Sequence, residues 1–363
     1  MKKNKNYVDL KDQPVLEGQH LLEVDDLKMY FHTEDGVVRA VDGVSYTLDR
    51  GETLGVVGES GSGKSVTAMT IMGLISMPPG KIEGGDVRYR GRSILEMTEE
   101  EMQHIRGNDI AMIFQDPMTS LNPVYKIGKQ VGEGLRLHRG YSKQEALKRA
   151  TELLDLVGIP EPEKRVNEYP HQFSGGMRQR VMIAMALACD PDILIADEPT
   201  TALDVTIQAQ IIELMQEMQE KNGNAIIMIT HDLGVVADMA DKIMVMYAGR
   251  PVEFGTAEEI FYESRHPYTW GLIRSIPEQA IDEKKPLTPI HGNPPSLMNL
   301  PEGCVFSPRC PYATDKCRKQ RPERVVTESG HYSACHYSGD PEFLKNAPET
   351  SRTRKDSKKG GEA

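Results

Sequence analysis

The octapeptide GESGSGKS constrains the fold of this 363-residue chain more than any other feature. It fits the pattern G-x-x-x-x-G-K-S and lies between a strand-like run, TLGVV, and a helix-like run, SVTAMTIMGLI, a context that an ordinary glycine-rich turn lacks. Glycines let backbone N–H groups converge on phosphate oxygens, and the helix N-terminus adds a positive dipole. We therefore predict a nucleoside triphosphate site in which Lys64 reaches the β- and γ-phosphates and Ser65 binds Mg²⁺. Its residues are Gly58, Glu59, Ser60, Gly61, Ser62, Gly63, Lys64 and Ser65.

A second apolar run, ILIADE at residues 193–198, ends in two adjacent carboxylates. A strand of this kind would place Asp197 at the carboxyl edge of a sheet, beside the phosphate loop. Asp197 is then expected to support the Mg²⁺ shell, and Glu198 is expected to polarise the attacking water as a general base. A strand followed by a solvated acidic turn is the alternative for this run alone, and the phosphate loop argues against it.

The segment FSGGMRQR adds another anion-binding element. Ser174, Gly175 and Gly176 open the apolar helix MRQRVMIAMALAC, and a helix that begins in this way favours phosphate at its N-terminus. The chain therefore carries two phosphate-binding elements, although one would suffice for simple binding.

Together these motifs resemble those of an ATP-binding cassette (ABC) ATPase, in which the signature of one subunit closes on the nucleotide held by the other. The order also matches: phosphate loop, Gln115 in IFQDP, signature, acidic strand, Asp204 in TALD and His231 in ITHD. Alone, Gln115 and His231 would be typical structural residues. The resemblance implies that Gln115 senses Mg²⁺ and couples to the transmembrane partner. It also implies that Asp204 lies at the dimer seam and that His231 contacts the γ-phosphate and positions Glu198.

The chain departs from the common cassette pattern in several positions. Phe173 and Met177 replace the usual Leu and Gln of the signature, and Met177 cannot supply a polar contact to the nucleotide. Thr201 replaces a serine before ALD and keeps the hydroxyl. Phe31, with Tyr30 second, is the candidate for stacking on adenine, although either is equally typical of a core aromatic.

The pattern along the chain predicts its local elements. Apolar runs and turn signals before residue 57 predict short strands and hairpins. Ser142 is expected to cap a helix that ends before Gly158. The alternation of ILIAD, a helical run and AIIMIT indicates a parallel sheet covered by helices.

Composition and segment character indicate the organisation of the chain. Its length leaves room for roughly two domains, and a net charge of −11 argues against a nucleic-acid binder. The basic N-terminus has no apolar run behind it, and no run approaches the ~20 residues that cross a bilayer, so we expect a soluble protein made in the cytosol whose membrane role comes through a partner. The resemblance implies an α/β phosphate-loop core with an antiparallel β subdomain. The expected units are a disordered N-terminus (1–19), an ABC nucleotide-binding domain (20–275) with a helical subdomain (120–185), a Cys-rich C-terminal domain (276–340) and a disordered tail (341–363).

Longer blocks, among them IFQDPMTSLNP and RHPYTWGLIRSIP, resemble the ATPase subunit of bacterial oligopeptide/dipeptide importers, from about residue 20 to 340. The resemblance implies a peripheral ATPase on the cytoplasmic face of the cell membrane. Its expected partners are a related ATPase in a heterodimer, two transmembrane permease subunits and an extracytoplasmic peptide-binding protein. A cargo such as a metal chelate or glutathione stays open. A soluble ABC ATPase of translation or DNA repair is disfavoured by the single phosphate loop and the short helical insert, and a regulator without turnover conflicts with Glu198 and His231.

Four of the five cysteines lie close together near the C-terminus, at Cys304, Cys310, Cys317 and Cys335, whereas Cys189 is expected to be a packed thiol in the signature helix. Disulfides are disfavoured in a reducing cytosol, so the alternatives are unrelated thiols or a shared metal. The intervening counts of five, six and seventeen residues are looser than the C-x₂₋₄-C pairs of zinc sites, and four thiolates also bind iron–sulfur clusters. The subfamily resemblance implies a 4Fe-4S cluster with a structural role, with zinc as the alternative.

Overall fold

The computed structural model describes residues 10–12, 15–16, 18–116, 120–200, 205–276 and 289–348. The strands are β1 (Leu22–Thr33), β2 (Gly36–Leu48), β3 (Thr53–Val57), β4 (Gly80–Tyr89), β5 (Arg92–Ser93), β6 (Ile110–Ile113), β7 (Ile193–Asp197), β8 (Ala225–Thr230), β9 (Lys242–Tyr247), β10 (Arg250–Thr256), β11 (Val325–Val326) and β12 (Tyr332–Ser333). The helices are α1 (Lys64–Ile71), α2 (Glu99–Ile105), α3 (Ile127–His138), α4 (Lys143–Leu156), α5 (Pro162–Arg165), α6 (Gly175–Leu187), α7 (Val205–Asn222), α8 (Leu233–Ala237), α9 (Ala257–Tyr262), α10 (Pro267–Arg274), α11 (Asp315–Lys319) and α12 (Pro341–Leu344).

A central sheet carries the parallel strands that the sequence predicts. Its order is β11-β12-β10-β9-β3-β8-β7-β6, and β3 pairs in parallel with β8 and β9. The predicted runs TLGVV, ILIAD and AIIMIT form β3, β7 and β8, and every residue in them is buried. Such continuous apolar strands are typical of parallel sheets covered on both faces. The carboxyl ends of β3 and β7 are followed by the phosphate loop and by Glu198.

A second, antiparallel sheet has the order β2-β1-β4-β5. The sequence predicts short strands before residue 57, whereas β1 and β2 are two long strands joined by the turn at residues 34–35. They extend because β1 pairs along most of its length with β2 on one side and β4 on the other. The β1 side chains Leu22, Val24, Leu27 and Met29 are buried in the core beneath this sheet.

Helices α3 to α6 form a layer in the part of the chain between β6 and β7. The sequence predicts that Ser142 caps a helix ending before Gly158, and both features are present. The Ser142 hydroxyl accepts from the backbone N–H of Glu145, and the Glu145 carboxylate accepts from that of Ser142. Leu153 and Leu154, on the apolar face of α4, are buried in the core. Within the described ranges, no helix combines the length and the apolar character that crossing a membrane requires.

The C-terminal segment packs against the same central sheet. Strand β12 pairs with β10 and carries β11 as the edge strand. Phe306 lies 5.2 Å from Tyr247 and 5.3 Å from Tyr268 between ring centroids, so it shares an aromatic cluster with β9 and α10. The segment is therefore attached to the elements that support the phosphate loop.

Candidate functional site: a phosphate loop and its carboxylates

The phosphate loop joins β3 to α1 through two glycines that no other residue could replace without displacing backbone. Gly58 and Gly63 have φ angles of +154° and +100°. A Cβ atom would lie 2.2 Å from the Met246 carbonyl oxygen at Gly58 and 2.3 Å from the Ala40 carbonyl oxygen at Gly63. The loop is therefore packed closely against the strands behind it, with its backbone fixed in the curled conformation that phosphate binding needs.

Lys64 is folded back into this loop. Its Nζ donates to the carbonyl oxygens of Gly58 (2.6 Å) and Glu59 (3.0 Å). Burial lowers the pKa of Lys64, and the carboxylates of Glu198 and Asp197 act in the opposite direction. A buried ammonium held by carbonyl oxygens is a suitable partner for phosphate oxygens, whose charge would favour its protonated form.

Ser65 and Asp197 meet at the first turn of α1. The Ser65 hydroxyl donates to Asp197 Oδ1 at 3.0 Å, so the start of α1 and the end of β7 present oxygen atoms to one point. Burial raises the pKa of Asp197, partly offset by the Ser65 hydrogen bond. A hydroxyl and a carboxylate are the ligand types that Mg²⁺ takes beside a substrate phosphate, so the donor set fits that ion.

Gln115 and His231 both lie within hydrogen-bond distance of Glu198, the third predicted catalytic residue. Gln115 Nε2 donates to Glu198 Oε2 at 2.9 Å, and His231 Nδ1 lies 3.3 Å from Glu198 Oε1. Glu198 has a φ angle of +48°, in the left-handed region, and its backbone N–H donates to the Ile229 carbonyl oxygen at 2.8 Å. The backbone of Glu198 is therefore fixed by β8, and its carboxylate is held by Gln115 and His231.

The signature segment is a capped helix N-terminus that faces solvent. The Ser174 hydroxyl accepts from the Met177 backbone N–H at 3.3 Å, while Ser174 and Gly175 are exposed. Phe173 is buried in the core, which explains why an apolar residue is required there. Gln179 Nε2 donates to the Pro199 carbonyl oxygen at 2.7 Å and ties this helix to the segment after Glu198.

The structure describes only some of the other residues that the sequence predicts for the site. Asp204 and Thr201 lie outside the described residues. Phe31 is half-buried on β1 and packs partly against the core, so it is not fully enclosed. The Tyr30 hydroxyl donates to Asp42 Oδ1 at 3.0 Å, which gives Tyr30 a structural partner.

The four C-terminal cysteines line one cavity. Cys304, Cys310, Cys317 and Cys335 share it with residues of α10 and of the C-terminal segment, and all four are free thiols. Burial raises the pKa of Cys310 to about 11 and that of Cys335 to about 12, and the neighbouring thiols act in the same direction. Within the described ranges, no group of three or more His, Cys, Asp or Glu residues is arranged to hold a metal ion.

Cys189 is buried as predicted, with 1% of its surface exposed, although it is not within the helix. Helix α6 ends at Leu187, so Cys189 lies just past it. Burial raises the pKa of Cys189, as expected for an inert, packed thiol.

Two residues that contact the phosphate loop, Tyr268 and Arg309, are not predicted by sequence reasoning. Both bind Glu59. The sequence could have indicated them only through their location in the two blocks particular to the peptide-importer resemblance. Tyr268 lies in RHPYTWGLIRSIP and Arg309 lies in the cysteine segment.

A sheet with a parallel core, a phosphate loop, an acidic strand end and a separate Ser-Gly-Gly helix start together define an ATPase of the ATP-binding cassette class. Comparison with known families agrees. The family described as "ABC transporter" matches residues 41–201. The family described as "Oligopeptide/dipeptide transporter, C-terminal region" matches residues 252–317.

Individual relatives narrow the class. The oligopeptide transport ATP-binding protein OppD of Bacillus subtilis (strain 168) is 58% identical over 312 residues, covering 86% of this chain and 87% of that protein. The dipeptide transport ATP-binding protein DppD of Escherichia coli (strain K12) is 52% identical over 320 residues, covering 88% and 97%. A solved ATP-binding cassette, dimeric in a post-hydrolysis state with ADP and Pi, is similar with a TM-score of 0.60 and 29% identity, covering 65% of this chain and 98% of that one.

The chain belongs to the family of ATP-binding subunits of oligopeptide and dipeptide ABC importers. It hydrolyses ATP and thereby energises peptide uptake by such an importer.

Proposed function

We propose that this chain is one half of an ATPase pair on the cytoplasmic face of a peptide permease, and that its phosphate loop is completed by the signature of its partner. The observation that carries the proposal is the exposed helix start at Ser174 and Gly175. The backbone N–H groups and the dipole at such a helix N-terminus favour an anion. The similar cassette solved as a dimer with ADP and Pi supports the same arrangement.

Within each site, the residues divide the work of hydrolysis. Lys64 and the loop N–H groups bind the β- and γ-phosphates, and Ser65 and Asp197 hold Mg²⁺, which neutralises phosphate charge when bound. Glu198 accepts a proton from the attacking water. The water oxygen bonds to the γ-phosphorus while the bond between the γ-phosphorus and the oxygen that bridges it to the β-phosphate breaks. His231 orients Glu198 and contacts the γ-phosphate.

The remaining assignments concern the edges of the site. Gln115, which contacts Glu198, senses Mg²⁺ and links the site to the permease. Phe31, half-buried on β1, stacks on adenine. Asp204, outside the described residues, keeps its proposed place at the dimer seam from the family resemblance alone, and Gly176 with Ser174 and Gly175 would face the nucleotide held by the partner subunit. The cassette comprises residues 20–275 and the Cys-rich unit residues 276–340.

The assembly contains a related ATPase as the second half of a heterodimer, two transmembrane permease subunits and an extracytoplasmic peptide-binding protein. A lone chain has only half of each composite site. We therefore expect weak MgATP hydrolysis from the isolated protein and strong stimulation when the paired ATPase and the permease are added. The measurement is phosphate release per chain at matched concentrations. Robust hydrolysis by a strictly monomeric sample would contradict the split site.

We further propose that Cys304, Cys310, Cys317 and Cys335 hold a 4Fe-4S cluster. The described side chains form no ready-made metal site, so the support is chemical: four thiols line one cavity, and four thiolates are the usual ligands of such clusters. The bound group would displace the thiol protons and cross-link a segment with few large apolar residues, so its role is structural.

Protein purified without oxygen should be brown, with broad absorbance near ~400 nm. Cys310→Ser should lose this absorbance, whereas Cys189→Ser should keep it because Cys189 lies outside the cavity. Colourless protein that contains one zinc and no iron per chain would contradict the cluster proposal and indicate a zinc site instead.

A further inference from the structure

Glu59, the second residue of the phosphate loop, is held from two directions. Its backbone N–H donates to the Tyr268 hydroxyl at 2.9 Å. Its carboxylate accepts two hydrogen bonds from Arg309, with Nη1 at 2.6 Å from Oε2 and Nη2 at 3.0 Å from Oε1. This bidentate pairing fixes orientation as well as distance. It joins positions that are 250 residues apart in the chain.

Arg309 is immobilised by contacts to its whole guanidinium group. Only 4% of its side chain is exposed. Besides the Glu59 carboxylate, it donates to the Tyr247 hydroxyl (3.3 Å) and to the carbonyl oxygens of Ile290 (3.1 Å) and His291 (3.0 Å). An arginine has five N–H donors, and these contacts use all of them. These contacts therefore fix the guanidinium in one position. In the chain, Arg309 directly precedes Cys310.

Glu59 needs such a partner because it brings a carboxylate into a loop that binds phosphates. Its side chain is 30% exposed, so it is partly screened by water. The carbonyl oxygen of the same residue accepts from Lys64 Nζ. Arg309 thus acts on the carboxylate of the residue whose backbone positions the phosphate-binding lysine.

We propose that Arg309 is a positioning residue of the ATP site: it neutralises and orients Glu59, so that the C-terminal segment sets the affinity of the phosphate loop for MgATP. The inference rests on the phosphate-loop roles proposed above. It gives a function to the two blocks, around Tyr268 and Arg309, that distinguish this chain from a minimal cassette.

The test is MgATP binding to the full-length chain, by equilibrium dialysis, together with KM and kcat of the assembled complex. Arg309→Ala should raise the Kd for MgATP about tenfold, because it leaves the Glu59 carboxylate unpaired beside the phosphates. KM should rise in parallel, while kcat stays within about twofold since Arg309 does not touch Glu198.

Rescue separates positioning from simple structural support. Adding Glu59→Gln to Arg309→Ala removes the unpaired charge and should restore most of the affinity. If Arg309→Ala does not fold, Arg309→Lys takes its place: it keeps the charge, loses the bidentate geometry and should bind with intermediate affinity.

The matched control is Arg318→Ala, which removes an exposed arginine of the same segment that pairs with exposed Asp315, and it should bind MgATP like the wild type. A folded Arg309→Ala or Arg309→Lys with wild-type Kd and KM would overturn the inference. So would weakened binding of Arg309→Ala that Glu59→Gln fails to restore. Lys64→Ala should abolish binding; if it instead binds normally, the loop assignment itself is wrong and the inference falls with it.

Discussion

Glu198 shows how one residue position combines backbone and side-chain requirements. The chain must turn sharply after β7, and Glu198 takes up this turn with a left-handed φ angle, a conformation that is uncommon for a residue other than glycine. The backbone bond to Ile229 and the contacts with Gln115 and His231 hold it there. Such strain at a strand end is characteristic of functional sites, and in our proposal the Glu198 carboxylate activates the attacking water.

Asp197 gives a prediction about charge and pH. Because its folded pKa is raised by burial, ionised Asp197 lowers the stability of the nucleotide-free protein at neutral pH. Asp197→Asn should therefore raise the Tm of this form at pH 7, and the gain should shrink as the pH falls toward the ordinary Asp value of about 3.9. Differential scanning calorimetry across this range measures it.

Asp315→Asn, at a side chain 86% exposed, is the control and should leave the Tm nearly unchanged. A lower Tm for Asp197→Asn at pH 7 would show that the Ser65 hydrogen bond outweighs the burial of the charge.

At the scale of elements, the sequence predicts those whose signals are local. Strands β3, β7 and β8 are continuous apolar runs, and α4 has its cap and stop residues in the sequence, so each is predicted within a few residues. The phosphate loop and the carboxylates of Asp197 and Glu198 at the end of β7 follow from motif spacing in the same way.

Elements that depend on distant partners are not predictable from local pattern. The full lengths of β1 and β2 depend on mutual pairing and on β4, and β12 is a two-residue strand defined by its pairing with β10 and β11. The Arg309–Glu59 pair has no local signature at all, because it arises from packing between segments far apart in the chain.

The capping box of α4 gives a prediction at this scale. Ser142→Ala removes the acceptor for the Glu145 N–H and should lower the free energy of unfolding by about 1 kcal/mol. Urea denaturation measures it, and Ser142→Asp, which keeps an acceptor, should retain most of the stability. Equal losses for Ala and Asp would show that the cap contributes little.

Across the whole molecule, the ATP site lies where separate layers meet. The central sheet supplies the phosphate loop and the carboxylates, the helical layer presents the signature to solvent, and the C-terminal segment binds Glu59 through Arg309. Each layer contributes one part of the site, so the site requires the complete fold and, in our proposal, a second ATPase facing it.

The central claim is that Glu198 is the general base of this composite site. The most direct measurement is MgATP binding and hydrolysis by the assembled complex, with wild-type chain and with Glu198→Gln. Glutamine keeps the size and can still contact Gln115 and His231, but it cannot take a proton. We expect binding to be retained and hydrolysis to fall by about 10²–10⁴. Hydrolysis near the wild-type rate would contradict the account.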